Sequence, residues 1–94
     1  MLQIGEVVIS ADVEDTIQQI QEDTGLLRDV NELDSDIMCT CPIHKGGMET
    51  TPSLGVNKDS GVVHCFTCGY KGDIVTLVSD CYDISYSQAY RKLV

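Results

Sequence analysis

Four residues of metal-ligating type form two short pairs near the middle of the chain, and they constrain the fold more than any other feature. Two residues separate Cys41 from His44, two separate Cys65 from Cys68, and twenty residues lie between the pairs. A two-residue spacer lets one tight turn aim both side chains at a single ion. The spacing therefore predicts a closed tetrahedral site of three sulfurs and one nitrogen, which is typical of a structural zinc ion.

The size of the chain makes such an ion important for folding. The chain has 94 residues with one Phe and no Trp, which indicates one small domain. A bound zinc ion supplies on the order of 10 kcal/mol to the folding of such a domain. Five cysteines cannot all pair as disulfides, which favours metal ligation.

With no apolar run that spans a bilayer and no signal-peptide pattern, we expect a cytoplasmic protein without a membrane partner.

Three further residues of ligand type carry weaker signals. Cys39 would share a strand face with the first ligand cysteine and could replace the histidine in an all-cysteine site, although packing as a small apolar residue is its more frequent role. His64 precedes Cys65 on a predicted strand, so its side chain should point away from the metal. Cys81 is expected to pack or to lie at the surface. Iron in a rubredoxin-like ribbon needs four thiolates, so a histidine ligand argues against it.

The hydrophobic pattern predicts an α+β fold. A zinc ribbon, which is an antiparallel β-hairpin carrying two zinc knuckles, should lie between an N-terminal helix and two short C-terminal helices. Residues 1–36 would then form a helix and an acidic loop that pack on the zinc-binding part, residues 37–94, in one structural unit. We expect the first helix over residues 11–22, with Ser10 as its N-cap and Gly25 as its left-handed C-cap.

Turn and capping residues place the remaining elements. Residues 31–36 are expected to form a loop, and residues 37–41 a strand that leads into the first knuckle. The hairpin strands should be 53–56 and 62–66, joined by a turn-rich pentapeptide. Asp73 is the expected N-cap of the next helix, and Ser85 with Gln88 forms a capping-box pattern for the last. Three tyrosines lie on or near these helices and are given no nucleic-acid role: Tyr82, Tyr86 and Tyr90. The last two are four residues apart and are expected to face the core.

Charge is distributed unevenly along the chain. Residues 1–40 carry ten acidic side chains and one basic one, Arg28, which equals the whole net charge of −9. Residues 41–72 carry three lysines and two acidic residues, and are close to neutral. A nucleic-acid partner would therefore meet no strong basic surface, and any such contact should be weak or assisted by another domain.

These motifs resemble the CHC2 zinc-binding domain of bacterial and phage DnaG-type primases over residues 37–94. The matching segments are Cys41-Pro-Ile-His44, Thr51-Pro-Ser-Leu54, Val63-His-Cys-Phe-Thr-Cys-Gly69 and Gly72-Asp73. This sequence departs from the family pattern in having Ile43 and Leu54 where the family has phenylalanines, a longer linker after His44, and Thr50 where a lysine is usual. The last difference removes a basic contact candidate.

The resemblance implies a module that binds a single-stranded DNA template and helps to start RNA primers during DNA replication. It also implies as partners a separate Toprim-type polymerase domain, which performs the chemistry, and a replicative helicase. No clustered acidic motif for two-metal phosphoryl transfer occurs in the sequence, so the chain alone should not polymerise. It would be either a domain of a longer primase or a stand-alone relative.

Single-strand binding needs cations for phosphates and exposed aromatic faces for stacking. The sequence offers five candidates for this role: Lys58, His64, Phe66, Tyr70 and Lys71. Phe66 is equally compatible with covering the zinc thiolates, and each lysine could be an ordinary solvated residue. The acidic N-terminal part supports a different hypothesis, in which the chain is a protein-interaction module that docks on a replication protein or mimics nucleic acid.

Overall fold

The structure, a computed structural model, describes residues 12–43 and 52–93 together with the strand backbones of residues 2–4 and 7–9. The elements of this part of the chain are, in order, β1 Leu2–Ile4, β2 Val7–Ile9, α1 Val13–Thr24, β3 Asn31–Glu32, β4 Asp36–Cys39, β5 Leu54–Asn57, β6 Val62–Cys65, β7 Lys71–Asp73, α2 Ile74–Tyr82 and α3 Tyr86–Leu93. The predicted α+β class is confirmed.

An antiparallel sheet forms the centre of the fold. Its strand order is β3-β4-β5-β6-β7, so each strand pairs with its neighbour in sequence. The predicted hairpin is confirmed as β5 and β6. In the turn between them, the Asn57 side-chain oxygen accepts hydrogen bonds from the backbone N–H groups of Asp59 and Ser60, at 3.0 and 2.8 Å. This local network holds the turn and sets the register of the hairpin.

Alternation of side chains gives the sheet two different faces. The inner face is fully apolar, because every second residue of β4, β5 and β6 is buried: Ile37, Cys39, Leu54, Val56, Val63 and Cys65. Helix α2 packs against β6, β7 and α1, and its buried residues complete the core on this side. The opposite face carries exposed side chains, among them Val62 and His64 of β6, and we call it the outer face.

The first helix begins two residues later than predicted. Its N-cap is Asp12, not Ser10, and the backbone carbonyl of Asp12 accepts hydrogen bonds from the N–H and the hydroxyl of Thr16. Gly25 ends the helix in the left-handed conformation with φ of 75°, as predicted. Because the apolar residues recur at helical spacing, Ile17 and Ile20 are buried while the acidic face of α1 points to solvent.

Both predicted C-terminal helix starts are confirmed. The Asp73 carboxylate accepts a hydrogen bond from the Thr76 N–H at 2.8 Å, and Ser85 and Gln88 exchange side chain to backbone hydrogen bonds of 3.1 and 3.2 Å. The expectation for Tyr86 was wrong, because its side chain is 49% exposed and its hydroxyl donates to Asp73. Tyr82 and Tyr90 do pack against the core.

Two features of the sheet depart from the prediction. Residues 31 and 32, expected in a loop, form β3 and pair with Ile37 and Met38. Both side chains of β3 are exposed, so this short edge strand leaves no alternating apolar pattern in the sequence. The hairpin of β1 and β2 was not predicted either. Within the described residues, no helix has the length and apolar character needed to cross a membrane.

Replacing Asp73 tests the capping contact that joins the sheet to α2. We expect Asp73→Ala to lower the free energy of unfolding of the zinc-loaded protein by about 0.5–2 kcal/mol, because the Thr76 N–H loses its acceptor. Urea unfolding followed by circular dichroism measures this change. Asp73→Asn, which retains an acceptor oxygen, should keep most of the stability. Equal losses in the two variants would contradict the capping role.

Candidate metal centre and nucleic-acid interface

Three cysteines meet at one end of the sheet. Cys41 follows β4, Cys65 ends β6, and Cys68 lies in the turn between β6 and β7. Their sulfurs all lie within 4.8 Å of one another, and the sulfurs of Cys41 and Cys68 are 3.7 Å apart. A tetrahedral zinc ion with bonds of about 2.3 Å places its sulfur ligands roughly 3.8 Å apart. The three side chains therefore fit one zinc ion.

The second knuckle owes its shape to backbone contacts. The Gly69 N–H donates to the Cys65 carbonyl at 3.1 Å, and the Cys65 N–H donates to the Tyr70 carbonyl at 2.7 Å. Gly69 has φ of 78°, which is the left-handed conformation. A Cβ atom at this position would meet no other atom within 4 Å, so the requirement for glycine comes from backbone conformation and not from crowding.

The surroundings of Cys65 favour the form that binds a metal. Burial opposes ionisation of this thiol, but the Ser53 hydroxyl and the backbone N–H groups of Cys68 and Thr67 outweigh it and lower the pKa to about 7. The Ser53 oxygen lies 3.5 Å from the Cys65 sulfur. Since the thiolate is the ligand, a lowered pKa reduces the competition between protons and zinc near neutral pH.

The other cysteines have a different character. Cys39 is fully buried, and burial, followed by the neighbouring Cys81 and Cys41 sulfurs, raises its pKa to about 12. Burial likewise raises the pKa of Cys81 to about 12. Neither belongs to the three-sulfur cluster among the described residues, which favours the packing interpretation for both.

The fourth predicted ligand, His44, lies outside the described residues. The described donors supply three corners of a tetrahedron. The assignment of His44 to the fourth corner remains a prediction from the spacing with Cys41.

Three of the five predicted nucleic-acid contacts lie together on the outer face. His64 and Lys71 are directly opposite each other on β6 and β7. Phe66 follows β6, is 66% exposed, and has its ring centroid 4.9 Å from that of His64. Proteins that bind single strands commonly combine exposed aromatic rings with nearby cations.

The structure places Lys58 and Tyr70 elsewhere. Lys58 follows the last residue of β5, and its ammonium lies 2.7 Å from the Glu32 carboxylate. Tyr70 precedes Lys71, so alternation turns its ring to the inner side, where it packs against the core and donates its hydroxyl hydrogen to Asp80. Burial and the Asp80 carboxylate raise the pKa of this phenol. Neither side chain joins the group on the outer face.

Sequence reasoning missed the residue on which the aromatic pair rests. Gly55 lies opposite His64 on one side and Met38 on the other. A Cβ atom on Gly55 would lie 3.2 Å from a ring carbon of Phe66 and 3.3 Å from the Met38 sulfur, so glycine is what lets the ring approach the sheet. A glycine inside an apolar strand pattern is the signal that could have indicated this contact.

The fold and the cysteine cluster define the class of protein: a zinc ribbon whose metal centre lies at the end of an antiparallel sheet. The sequence profile of the CHC2 zinc finger family matches residues 4–94, and the chain belongs to that family.

Relatives of known identity are DNA primases. The DNA primase of Thermotoga maritima is 28% identical over 85 residues, which are 84% of this chain and 14% of the relative. The DNA primase of Deinococcus radiodurans is 42% identical over 53 residues, which are 56% of this chain and 9% of the relative. The chain thus spans a small part of the length of these proteins.

A solved structure supports the same relationship. The crystal structure of the Aquifex aeolicus primase, comprising its zinc-binding and RNA polymerase domains, superposes with a TM-score of 0.59 at 28% sequence identity. The match covers 83% of this chain and 20% of that one. The architecture described above is therefore that of a primase zinc-binding domain.

Cysteine variants test the metal centre. We expect Cys65→Ser to release zinc and to unfold the ribbon, because removing one thiolate opens the coordination shell on which a domain of this size depends. Cys81→Ala is the matched control, since Cys81 is buried outside the cluster, and it should retain one zinc ion per chain. Elemental analysis and circular dichroism measure the two effects. A Cys65→Ser protein that kept both zinc and fold would refute the assignment.

Proposed function

We propose that this chain is the template-binding zinc domain of a DNA primase acting in the cytoplasm. It would hold single-stranded DNA on its outer sheet face and help to select the point at which an RNA primer starts. A separate Toprim-type polymerase domain would carry out the synthesis, next to a replicative helicase. The relatives described above support this role, because they are DNA primases of which the chain spans only a part.

One observation carries the proposal: the exposed rings of His64 and Phe66 lie side by side on the outer face, with Lys71 opposite His64 on the neighbouring strand. Stacking on aromatic rings contributes roughly 1 to 3 kcal/mol per base, whatever the base. A lysine at the edge of such a pair can contact the phosphate backbone. Zinc would hold the turn that carries Phe66. In this proposal the metal therefore has a structural role, which is to keep the Phe66 ring in position on the outer face.

The charge distribution limits how strongly the isolated domain should bind. The acidic side chains of α1, which are Glu14, Asp15, Glu22 and Asp23, are all exposed to solvent. With a net charge of −9, long-range attraction to DNA is absent, and binding relies on short-range stacking with one nearby cation. Affinity in the complete primase would then gain from the linked polymerase domain through a raised effective concentration.

A second function is favoured by the region around β3. Val30 and Leu33 are 43% and 52% exposed, beside the carboxylates of Glu14 and Glu32. The pKa of Glu14 is raised, chiefly because the Glu32 carboxylate lies close to it. Glu32 is paired with Lys58, but exposed apolar residues with acidic neighbours still suit contact with a basic protein surface. The alternative is accordingly a protein-interaction module that docks on a replication protein.

Phe66→Ala distinguishes the two functions. Anisotropy of a fluorescent random single-stranded DNA, with the zinc-loaded domain at low salt, should show affinity reduced by roughly 5- to 150-fold, because one stacking surface is lost. Leu33→Ala is the control, since it removes an exposed apolar side chain beside β3 and should leave binding unchanged. Absence of binding by the intact domain would favour the protein-interaction module instead.

Lysine variants test which ammonium group contacts the phosphate backbone of the DNA. We expect Lys71→Ala to weaken binding to all sequences and to reduce the salt dependence, measured as the slope of log affinity against log salt, by about 0.7. Lys58→Ala removes a cation that is already paired with Glu32 and should change the slope little. If both variants changed the slope equally, the domain would bind DNA through non-specific electrostatic attraction and not through the outer face.

A further inference from the structure

A recess on the outer face combines an aromatic wall with a polar end. Its volume is about 250 Å³, and it is lined by residues of β4, β5, β6 and the adjoining turns: Asp36, Gly55, Asn57, Ser60, Val62, His64 and Phe66. Pockets for drug-sized ligands measure roughly 300 to 1,000 Å³. A recess of this size suits one ring system and not a whole nucleotide.

The apolar part of the recess depends on Gly55. Because this residue has no side chain, the Phe66 ring lies against the strand and leaves open space between itself, His64 and Val62. Val62 is 55% exposed and extends the apolar surface toward the hairpin turn. A flat ring that enters here contacts aromatic and aliphatic surface.

The polar end of the recess is held in one orientation. The Asn57 side-chain oxygen accepts three hydrogen bonds, from the N–H groups of Asp59 and Ser60 and from the Ser60 hydroxyl. This fixes the Asn57 amide group, whose nitrogen donates to Oδ1 of Asp36 at 3.2 Å. Across the described part of the chain, the second carboxylate oxygen of Asp36, Oδ2, receives no hydrogen bond.

A half-buried carboxylate beside a stacking surface selects for particular ligand chemistry. It repels phosphate, so the ligand group that faces it must be a hydrogen-bond donor on a base edge. Cytosine, adenine and guanine carry an exocyclic amino group, and carboxylates accept from the cytosine amino group in protein complexes with DNA. Uracil and thymine present carbonyl oxygens on both sides of their one imide N–H, and these oxygens also repel a carboxylate.

Resting on the function proposed above, we propose that this recess takes one unstacked base of the template strand and that Asp36 accepts a hydrogen bond from its exocyclic amino group. The domain then does more than hold single-stranded DNA, because it prefers bases that carry an amino group at this position. Stacking on Phe66 and His64 accounts for the affinity for the base, and Asp36 accounts for the preference for an amino group.

Homopolymers of deoxycytidine and deoxyuridine of about 12 nucleotides form the matched probe pair, since the two bases differ in the group at C4 and in the ring N–H that accompanies it. We expect the zinc-loaded domain to bind the cytidine strand at least about fivefold more tightly in anisotropy titrations at mildly alkaline pH, where cytosine is unprotonated. Asp36→Asn should reduce this ratio to less than about twofold. The same variant should bind both strands somewhat more tightly, because a negative charge facing the DNA is removed.

Asp59→Asn is the charge-matched control. It neutralises an exposed carboxylate in the same hairpin, does not line the recess, and should retain the wild-type ratio. Measured zinc content and circular dichroism establish that each variant is folded. Binding of both strands with equal affinity, or a ratio that Asp36→Asn leaves unchanged, would overturn base selection while the proposed function stands. Binding of neither strand by the wild-type domain would overturn both.

Discussion

The convergence of three cysteine sulfurs at one end of the sheet is the constraint on which the rest of the structure depends. Cys41, Cys65 and Cys68 come from the ends of β4 and β6 and from the turn before β7, so one metal ion would join three adjacent segments. A core with a single Phe and no Trp provides limited apolar burial, and metal ligation offsets that shortage. The lowered pKa of Cys65 indicates that the fold prepares the site for the ion.

The sheet that carries this metal centre has two faces with different side chains. Alternation sends Val63 and Cys65 into the core and leaves His64 exposed between them. The same rule separates Lys71 from Tyr70, two neighbours in sequence that end on opposite sides. The buried apolar residues that stabilise the fold are therefore concentrated on the inner face, and the residues of the proposed ligand contact lie on the outer face.

Much of this could be predicted because the signals are local. The spacing of the cysteine pairs, the turn-rich segment of the hairpin, the Asp73 cap and the Ser85 and Gln88 capping box each depend on a few neighbouring residues. The start of α1 and strand β3 could not be predicted, since Asp12 caps without a side-chain hydrogen bond and β3 exists only through pairing with β4. The ion pair of Lys58 with Glu32 could not be predicted either, because the two residues are distant in sequence.

Gly55 gives the outer face a property that concerns sequence variation among relatives. A methyl group there would press on Phe66 and Met38 on the outer face, whereas the neighbours Leu54 and Val56 are buried on the other side of the sheet. A change at this position would therefore act first on the proposed ligand surface, through the ring of Phe66. Family members that keep glycine at residue 55 should share the shape of the outer face and, under the proposed function, the template preference. Members with another residue at this position would share the fold but not that preference.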